Sequence, residues 1–152
     1  MKIWRIMRPA YADDPLSGAG AARFGGRWNS IGVPMTYAST GRALAVLEML
    51  VHVRREQIPV DALLLPVDVP DHSIIELGDL PMGWNGIPYG ETSRQAGNRW
   101  IQQGLSLAML VPSAVLPEER NILINPAHSQ FGKIRVGKPE LGAFDRRLFG
   151  RK

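Results

Sequence analysis

Cysteine is absent from the 152 residues, which excludes a disulfide framework, a thiolate metal site and a thiol nucleophile. No window of about 18 consecutive apolar residues occurs, and Lys2 and Arg5 break the first segment, so neither a membrane span nor a signal peptide is expected. These absences fit a cytoplasmic protein of bacterial type. Histidine is nearly as scarce: with only His52, His72 and His128, and no His-Glu-x-x-His, no metal site is expected. The glycine fingerprints of Rossmann and P-loop sites are missing, as is the Gly-x-Ser-x-Gly elbow of a hydrolase. Dense basic runs are missing too. The net charge is +4 and the pI about 9.9, mostly from arginine, yet Arg54-Arg55 and Arg146-Arg147 stand as isolated pairs. That pattern suits solubility or an anionic partner and gives little support to direct nucleic-acid binding.

What is present is 45% hydrophobic residues without repeats, which predicts one compact domain over residues 1–152. Residues 3–7 read as a strand and residues 12–26 as a long Gly/Ala-rich loop. A short strand follows at 34–39, and Ser39 or Thr40 stands where it would cap a helix over 41–55. In that helix Ala43, Leu44, Val46, Leu47, Leu50 and Val51 make a broad apolar face, and Ala45 and Met49 leave little polar surface, so burial on most sides is expected. Strands are predicted at 62–69 and 73–77, the first at a sheet edge because Pro66 interrupts it. The prolines and glycines of 80–89 mark a loop, and a second helix over 91–103 stops at Gly104. Strand-length apolar runs at 105–111, 121–125 and 131–136 follow too closely for helical crossovers. The fold class is therefore α+β, a single domain with a mixed or antiparallel sheet.

Arg27 follows two glycines that permit close backbone approach to a ligand, and its guanidinium can hold phosphate through two parallel hydrogen bonds. A structural arginine in a surface loop is the competing reading. Tyr37 and Ser39 alternate along a strand, face one side, and can line a pocket or simply pack. Glu48 is a carboxylate beside the core of an apolar helix, costly unless paired, neutralised or opened to a cleft. In a cleft it can bind a ribose hydroxyl and stabilise the cation that forms when a glycosidic bond opens. His52, four residues on, falls on the same side and can position Glu48 or serve structure alone. Ser113 ends an apolar run and projects where ligand-contacting groups often do, without the surroundings of a nucleophile.

Taken in order, Gly25-Gly26-Arg27-Trp28-Asn29-Ser30, Tyr37-Ala38-Ser39, Ala43-Leu44-Ala45-Val46-Leu47-Glu48 with His52, Val111-Pro112-Ser113, and Asn121-Ile122-Leu123-Ile124-Asn125-Pro126-Ala127-His128 resemble the RES-domain toxin family over nearly the whole chain. The arginine, glutamate and serine of the family's name match Arg27, Glu48 and Ser113. The resemblance implies an ADP-ribosyltransferase-like fold and a toxin of a bacterial type II toxin–antitoxin pair that cleaves NAD by phosphorolysis or hydrolysis. NAD is then a substrate and no cofactor is needed. It implies that Arg27 holds the NAD phosphates, Tyr37 stacks on nicotinamide and Glu48 binds the ribose. Ser39, Ser113 and Asn121 would contact substrate, with Trp28 and His52 in support. Inorganic phosphate is a possible acceptor, and an Xre-like helix-turn-helix antitoxin would cover the site of a homodimeric toxin within a larger complex. Ser129 departs from the proline of many members, at a position that concerns a turn. Transfer of ADP-ribose to a protein is the alternative activity. A non-catalytic basic binding module is a further reading, disfavoured by the scattered arginines and by Glu48.

Overall fold

A computed structural model describes residues 1–53, 61–142, 145 and 148. In chain order the elements are β1 (Lys2–Met7), α1 (Ala19–Phe24), β2 (Thr36–Ser39), α2 (Arg42–Leu50), β3 (Leu63–Asp68), β4 (Ile74–Glu76), α3 (Glu91–Gln103), β5 (Ala108–Pro112), β6 (Arg120–Ile124), β7 (Arg135–Val136) and β8 (Glu140–Leu141). Among the described residues the strands form one sheet in the order β4-β5-β6-β2-β1-β3-β7, with β8 also on β3. Every pairing is antiparallel except β4 with β5, which are parallel and joined through α3 as the crossover. The domain is thus α+β with a mixed sheet.

Strand alternation sends side chains to two faces, and each face has its own core. Ile3, Met7, Ala38, Leu65, Val67, Ala108, Ile122 and Ile124 pack together with Leu16, while Met35, Met109, Val111 and Leu123 pack with Trp28 and Trp100. Tyr37 pairs with Leu123, and Ser39 with Asn121, so these four residues lie on the tryptophan-covered face. The helix α2 lies against β1 and β2. Its start is tied down by Arg42, whose guanidinium stacks 4.5 Å from the Trp4 ring and ion-pairs with Glu140 at 2.5 Å.

Several expectations change. The stretch 12–26 is not all loop, because Ala19–Phe24 turns into α1, six residues being too short to display a period. Gly25, at φ 71°, ends it. Neither Ser39 nor Thr40 caps α2; Gly41 holds that position, Ser39 Oγ donates to Asn121 Oδ1, and Thr40 Oγ1 donates to the Arg120 carbonyl. The helix ends at Leu50, with residues 54 and 55 of the expected span outside the described residues. Only Leu44 and Ala45 of α2 are buried, so its long apolar run is half-covered and not enclosed. Strand β3 is interior despite Pro66, since β7 pairs with Val67 and Asp68, β8 pairs with Leu63 and Leu64, and the break between them falls opposite the proline. The run at 131–136 is mostly a 3₁₀ turn over Phe131–Lys133, with two residues left for β7.

The helix α3 approaches the Arg27-Trp28 loop so closely that a Cβ on Gly97 would sit 1.8 Å from the Trp28 carbonyl oxygen. Alanine at this helical position gains about 1 kcal/mol of helix propensity, whereas overpacking against backbone costs about 1–3 kcal/mol or more. The clash wins. Gly97→Ala is expected to lower the urea midpoint of unfolding; an unchanged or raised midpoint would contradict this contact.

Candidate active site

The site starts from Asn29, which is fully buried and holds the Arg27 loop in shape. Its Nδ2 donates toward the carbonyls of Ala21, Ser30 and Val33 at 2.8, 3.1 and 3.0 Å, and its Oδ1 accepts the Tyr37 hydroxyl at 2.7 Å. The same hydroxyl accepts the Trp28 backbone N–H at 3.0 Å. Gly26 lies against this junction: a Cβ there would come within 2.6 Å of the Tyr37 hydroxyl oxygen and 2.7 Å of Asn29 Oδ1. The glycine expected to admit a ligand therefore admits Tyr37.

The hydroxyl end of Tyr37 is buried, which raises its pKa above the ordinary value of 10.0, although the Trp28 N–H and the nearby Arg27 and Arg94 pull the other way. The residue as a whole is half-buried. Behind it Arg5 Nη1 donates to the Tyr37 carbonyl at 2.7 Å. Arg5 shares the strand face of Ile3 and Met7, and burial lowers its pKa. Its Nε is buried without a partner among the described residues.

Arg27 reaches from the loop toward the segment following β4. Its Nη1 donates to the carbonyls of Trp84 at 2.6 Å and Gly86 at 3.1 Å, its guanidinium lies 5.5 Å from the Tyr89 ring centroid, and Trp84 stacks on Trp28. Partial burial lowers the Arg27 pKa, and the charge of Glu48 is the largest influence opposing it. No direct ion pair joins the two residues, so the two charges act on each other at a distance.

Glu48 Oε1 accepts two hydrogen bonds, from Ser113 Oγ at 2.6 Å and from Asn121 Nδ2 at 2.5 Å. Ser113 Oγ in turn accepts the N–H groups of Val115 and Leu116, and Ser39 Oγ donates to Asn121 Oδ1 at 2.7 Å. Ser39 thereby sets the orientation of the Asn121 amide, and the amide presents its N–H to Glu48. Oε2 has no hydrogen-bond partner among the described residues and is not among their buried unpaired atoms.

Of the residues predicted for the site, Ser39, Glu48, Ser113 and Asn121 form one bonded network. Tyr37, Trp28 and Arg27 form a second group, joined through the Arg27 loop. His52 falls outside both: it lies past the end of α2, exposed, and its side chain makes no hydrogen bond to Glu48. Ser129 lies in a turn and joins none of these bonds. Asn29, Trp84 and Tyr89 carry structural roles that no local sequence signal announces, beyond the place of Asn29 within the Gly-Gly-Arg-Trp-Asn-Ser run. A cavity of about 450 Å³, lined by Leu77, Leu80, Trp84, Pro112 and the Arg120–Glu76 ion pair, adjoins the site through Trp84 and through the chain neighbours of Ser113 and Asn121. No described helix is long and apolar enough to cross a membrane.

The mixed-sheet fold has a counterpart among solved structures. The fold matches the Mycobacterium tuberculosis MbcT–MbcA toxin–antitoxin complex with a TM-score of 0.73, covering 97% of this chain and 86% of that one; at 19% identity, what is shared is the fold. Sequence then fixes the family. The RES domain model matches residues 2–145, and the chain belongs to the RES-domain family. A Sphingobium relative named Prs ADP-ribosylating toxin is 41% identical over 96% of this chain and 95% of its own length. A Pseudomonas putida relative named Toxin Res is 42% identical over 90% and 93% respectively, and a Photorhabdus laumondii protein of the same name is 37% identical over 88% and 86%.

The raised Tyr37 pKa has a thermodynamic consequence. The folded state keeps the phenol protonated while the unfolded chain ionises near pH 10, so this contribution is intact below pH 10 and is lost as pH rises toward the folded-state pKa. Between pH 10 and 11 the unfolding free energy of the parent is expected to fall by about 1 kcal/mol more than that of Tyr37→Phe. Parallel slopes in urea titrations of the two proteins would refute a buried phenol.

Proposed function

We propose that this protein is the toxin of a bacterial toxin–antitoxin pair and that it depletes NAD by cleaving the bond between nicotinamide and ribose. The observation that carries the reading is the Glu48 carboxylate, with one oxygen pinned by Ser113 and Asn121, the other without a hydrogen-bond partner among the described residues, and its charge felt by Arg27. Membership of the RES family, whose relatives here are named toxins, supports it.

In this reading Arg27 holds the NAD phosphates with the guanidinium edge that the Trp84 and Gly86 carbonyls leave open. The Tyr37 ring stacks on nicotinamide. Glu48 Oε2 accepts a hydrogen bond from a ribose hydroxyl and faces the positive charge that spreads over C1′ and the ring oxygen. The C1′–N bond breaks, its electron pair neutralises the pyridinium nitrogen, and nicotinamide leaves. An oxygen of water or inorganic phosphate then bonds to C1′ and loses its proton. Ser39, Ser113 and Asn121 keep Oε1 occupied, so that the carboxylate cannot rotate away. NAD is consumed as substrate, and the chemistry calls for no further cofactor.

A second reading, transfer of ADP-ribose to a protein, uses the same bond cleavage with a different acceptor. It is favoured by the name of the Sphingobium relative. As partner we propose an antitoxin of Xre-like helix-turn-helix type seated over the site of a homodimeric toxin; the solved fold neighbour, itself in a toxin–antitoxin complex, supports an antitoxin. Both substrate and partner suit the cytoplasm.

Loss of one well-placed electrostatic contact typically costs about 10²–10³ in rate. Purified Glu48→Gln is expected to release nicotinamide from NAD at least about 100-fold more slowly than the parent while melting at a similar temperature. Chromatography of the products, with and without inorganic phosphate, separates ADP-ribose from its 1-phosphate, and label retained on protein identifies transfer. A parental rate in Glu48→Gln, or a parent that leaves NAD intact, sinks the assignment.

A further inference from the structure

Arg94, in the second turn of α3, was not part of the expected site, yet the fold brings it to the same aromatic ring as Arg27. The Arg94 guanidinium lies 5.2 Å from the Tyr89 ring centroid, and that of Arg27 lies 5.5 Å from it. Both cations also act on the Tyr37 hydroxyl. Two guanidinium groups that share one ring repel each other, and a neighbouring carboxylate is the usual remedy. Among the described residues Arg27 has no carboxylate within ion-pair distance, and Arg94 has one long contact. Arg27 is bonded to backbone carbonyls, and Arg94 reaches Glu91 only at 3.4 Å, on an exposed surface where such pairs contribute little. The Tyr89 hydroxyl has no hydrogen-bond partner among the described residues and adds a donor beside both cations.

We propose that Arg27, Tyr89 and Arg94 form one oxyanion subsite that takes the diphosphate of a nucleoside diphosphate group, with Arg94 as a second phosphate-binding residue. The proposal rests on the reading of Arg27 as the phosphate holder and extends it. Two planar forks, each able to take two phosphoryl oxygens, match two linked phosphates better than one. The bound anion removes the repulsion between the arginines, so it stabilises the arrangement that receives it. Arg94 is then a determinant of affinity for the phosphorylated substrate and is not part of the bond-breaking machinery.

The test is calorimetric titration of the full chain with ADP, adenosine and inorganic orthophosphate, using the parent, Arg94→Gln and Arg94→Lys. The parent is expected to bind ADP more tightly than adenosine. Arg94→Gln is expected to weaken ADP binding about 10- to 100-fold and leave adenosine unchanged, with Arg94→Lys between the two because it keeps charge and loses the fork. Orthophosphate binding weakened in step with ADP extends the subsite to free phosphate; orthophosphate unaffected while ADP is weakened confines it to the diphosphate. Equal ADP affinity in parent and Arg94→Gln overturns the proposal, as does a parent that does not prefer ADP to adenosine. Nicotinamide release is measured on the same proteins: Arg94→Gln is expected to raise KM for NAD with kcat nearly unchanged. A parent that binds ADP through Arg94 yet spares NAD refutes the activity alone, and one that cleaves NAD with KM indifferent to Arg94→Gln refutes the subsite alone. Circular dichroism and thermal melting confirm that the variants are folded, and Arg94→Lys retains the test if the glutamine variant is not.

Discussion

A carboxylate on a helix as apolar as α2 is tolerable only if its charge is answered, and the answer here is a pair of hydrogen bonds to a single oxygen. Ser113 supplies one from the end of β5 and Asn121 the other from β6, so Glu48 ties a helix near the middle of the chain to strands some 70 residues later. The bonds run further back. Ser39 fixes the Asn121 amide, and the backbone N–H groups of Val115 and Leu116 fix the Ser113 hydroxyl. Hydrogen bonds to a charged group are worth about 1.5–3 kcal/mol each, enough to hold one carboxylate orientation against thermal rotation. What the network leaves over is one oxygen with a defined direction.

The Arg27 side of the site is built from the other kind of constraint, close packing of backbone and polar side chain. Asn29 spends its amide on the carbonyls that shape the loop and its carbonyl on Tyr37, so the Tyr37 side chain and the loop that carries Arg27 are placed by the same residue. Gly26 and Gly97 contribute by what they lack. Around them the tryptophan-covered core closes on the sheet: Trp28 stacks on Trp84, and the Trp100 indole donates to the Ser106 hydroxyl, leaving few polar atoms unanswered on this side.

Much of this was legible in the residues themselves. Glu48 announced itself by being out of place in an apolar run, and alternation along 34–39 put Tyr37 and Ser39 on one face, as found. The strands with long apolar runs and the helix ended by Gly104 lie close to where periodicity put them. What was not legible was set by tertiary partners. Pro66 marks an edge strand by local rules, yet β3 is interior because its neighbour breaks into β7 and β8 opposite the proline. Ser39 has the chemistry of a helix cap and is used instead by Asn121, 82 residues away. The four-residue spacing of His52 from Glu48 has meaning only within a continuing helix, and α2 stops at Leu50. Tyr89 sits in a Pro/Gly-rich stretch where sequence shows only that the chain bends, and the helix expected over 91–103 gives Arg94 no partner until the fold brings it to that ring.

The grip of Arg27 on the Trp84 and Gly86 carbonyls bears on how inactive alleles of this gene should be understood. The side chain assigned to the substrate's phosphates is also the fastener that holds the segment carrying Trp84 and Tyr89 over the loop. An allele with a small residue at this position loses both at once, so harmlessness in a cell does not by itself say which of the two was lost. The edge that the two carbonyls leave free is what an incoming anion would meet, so the fastener can stay closed while the site fills. Loading the cleft and bracing its mouth are then concurrent duties of one side chain.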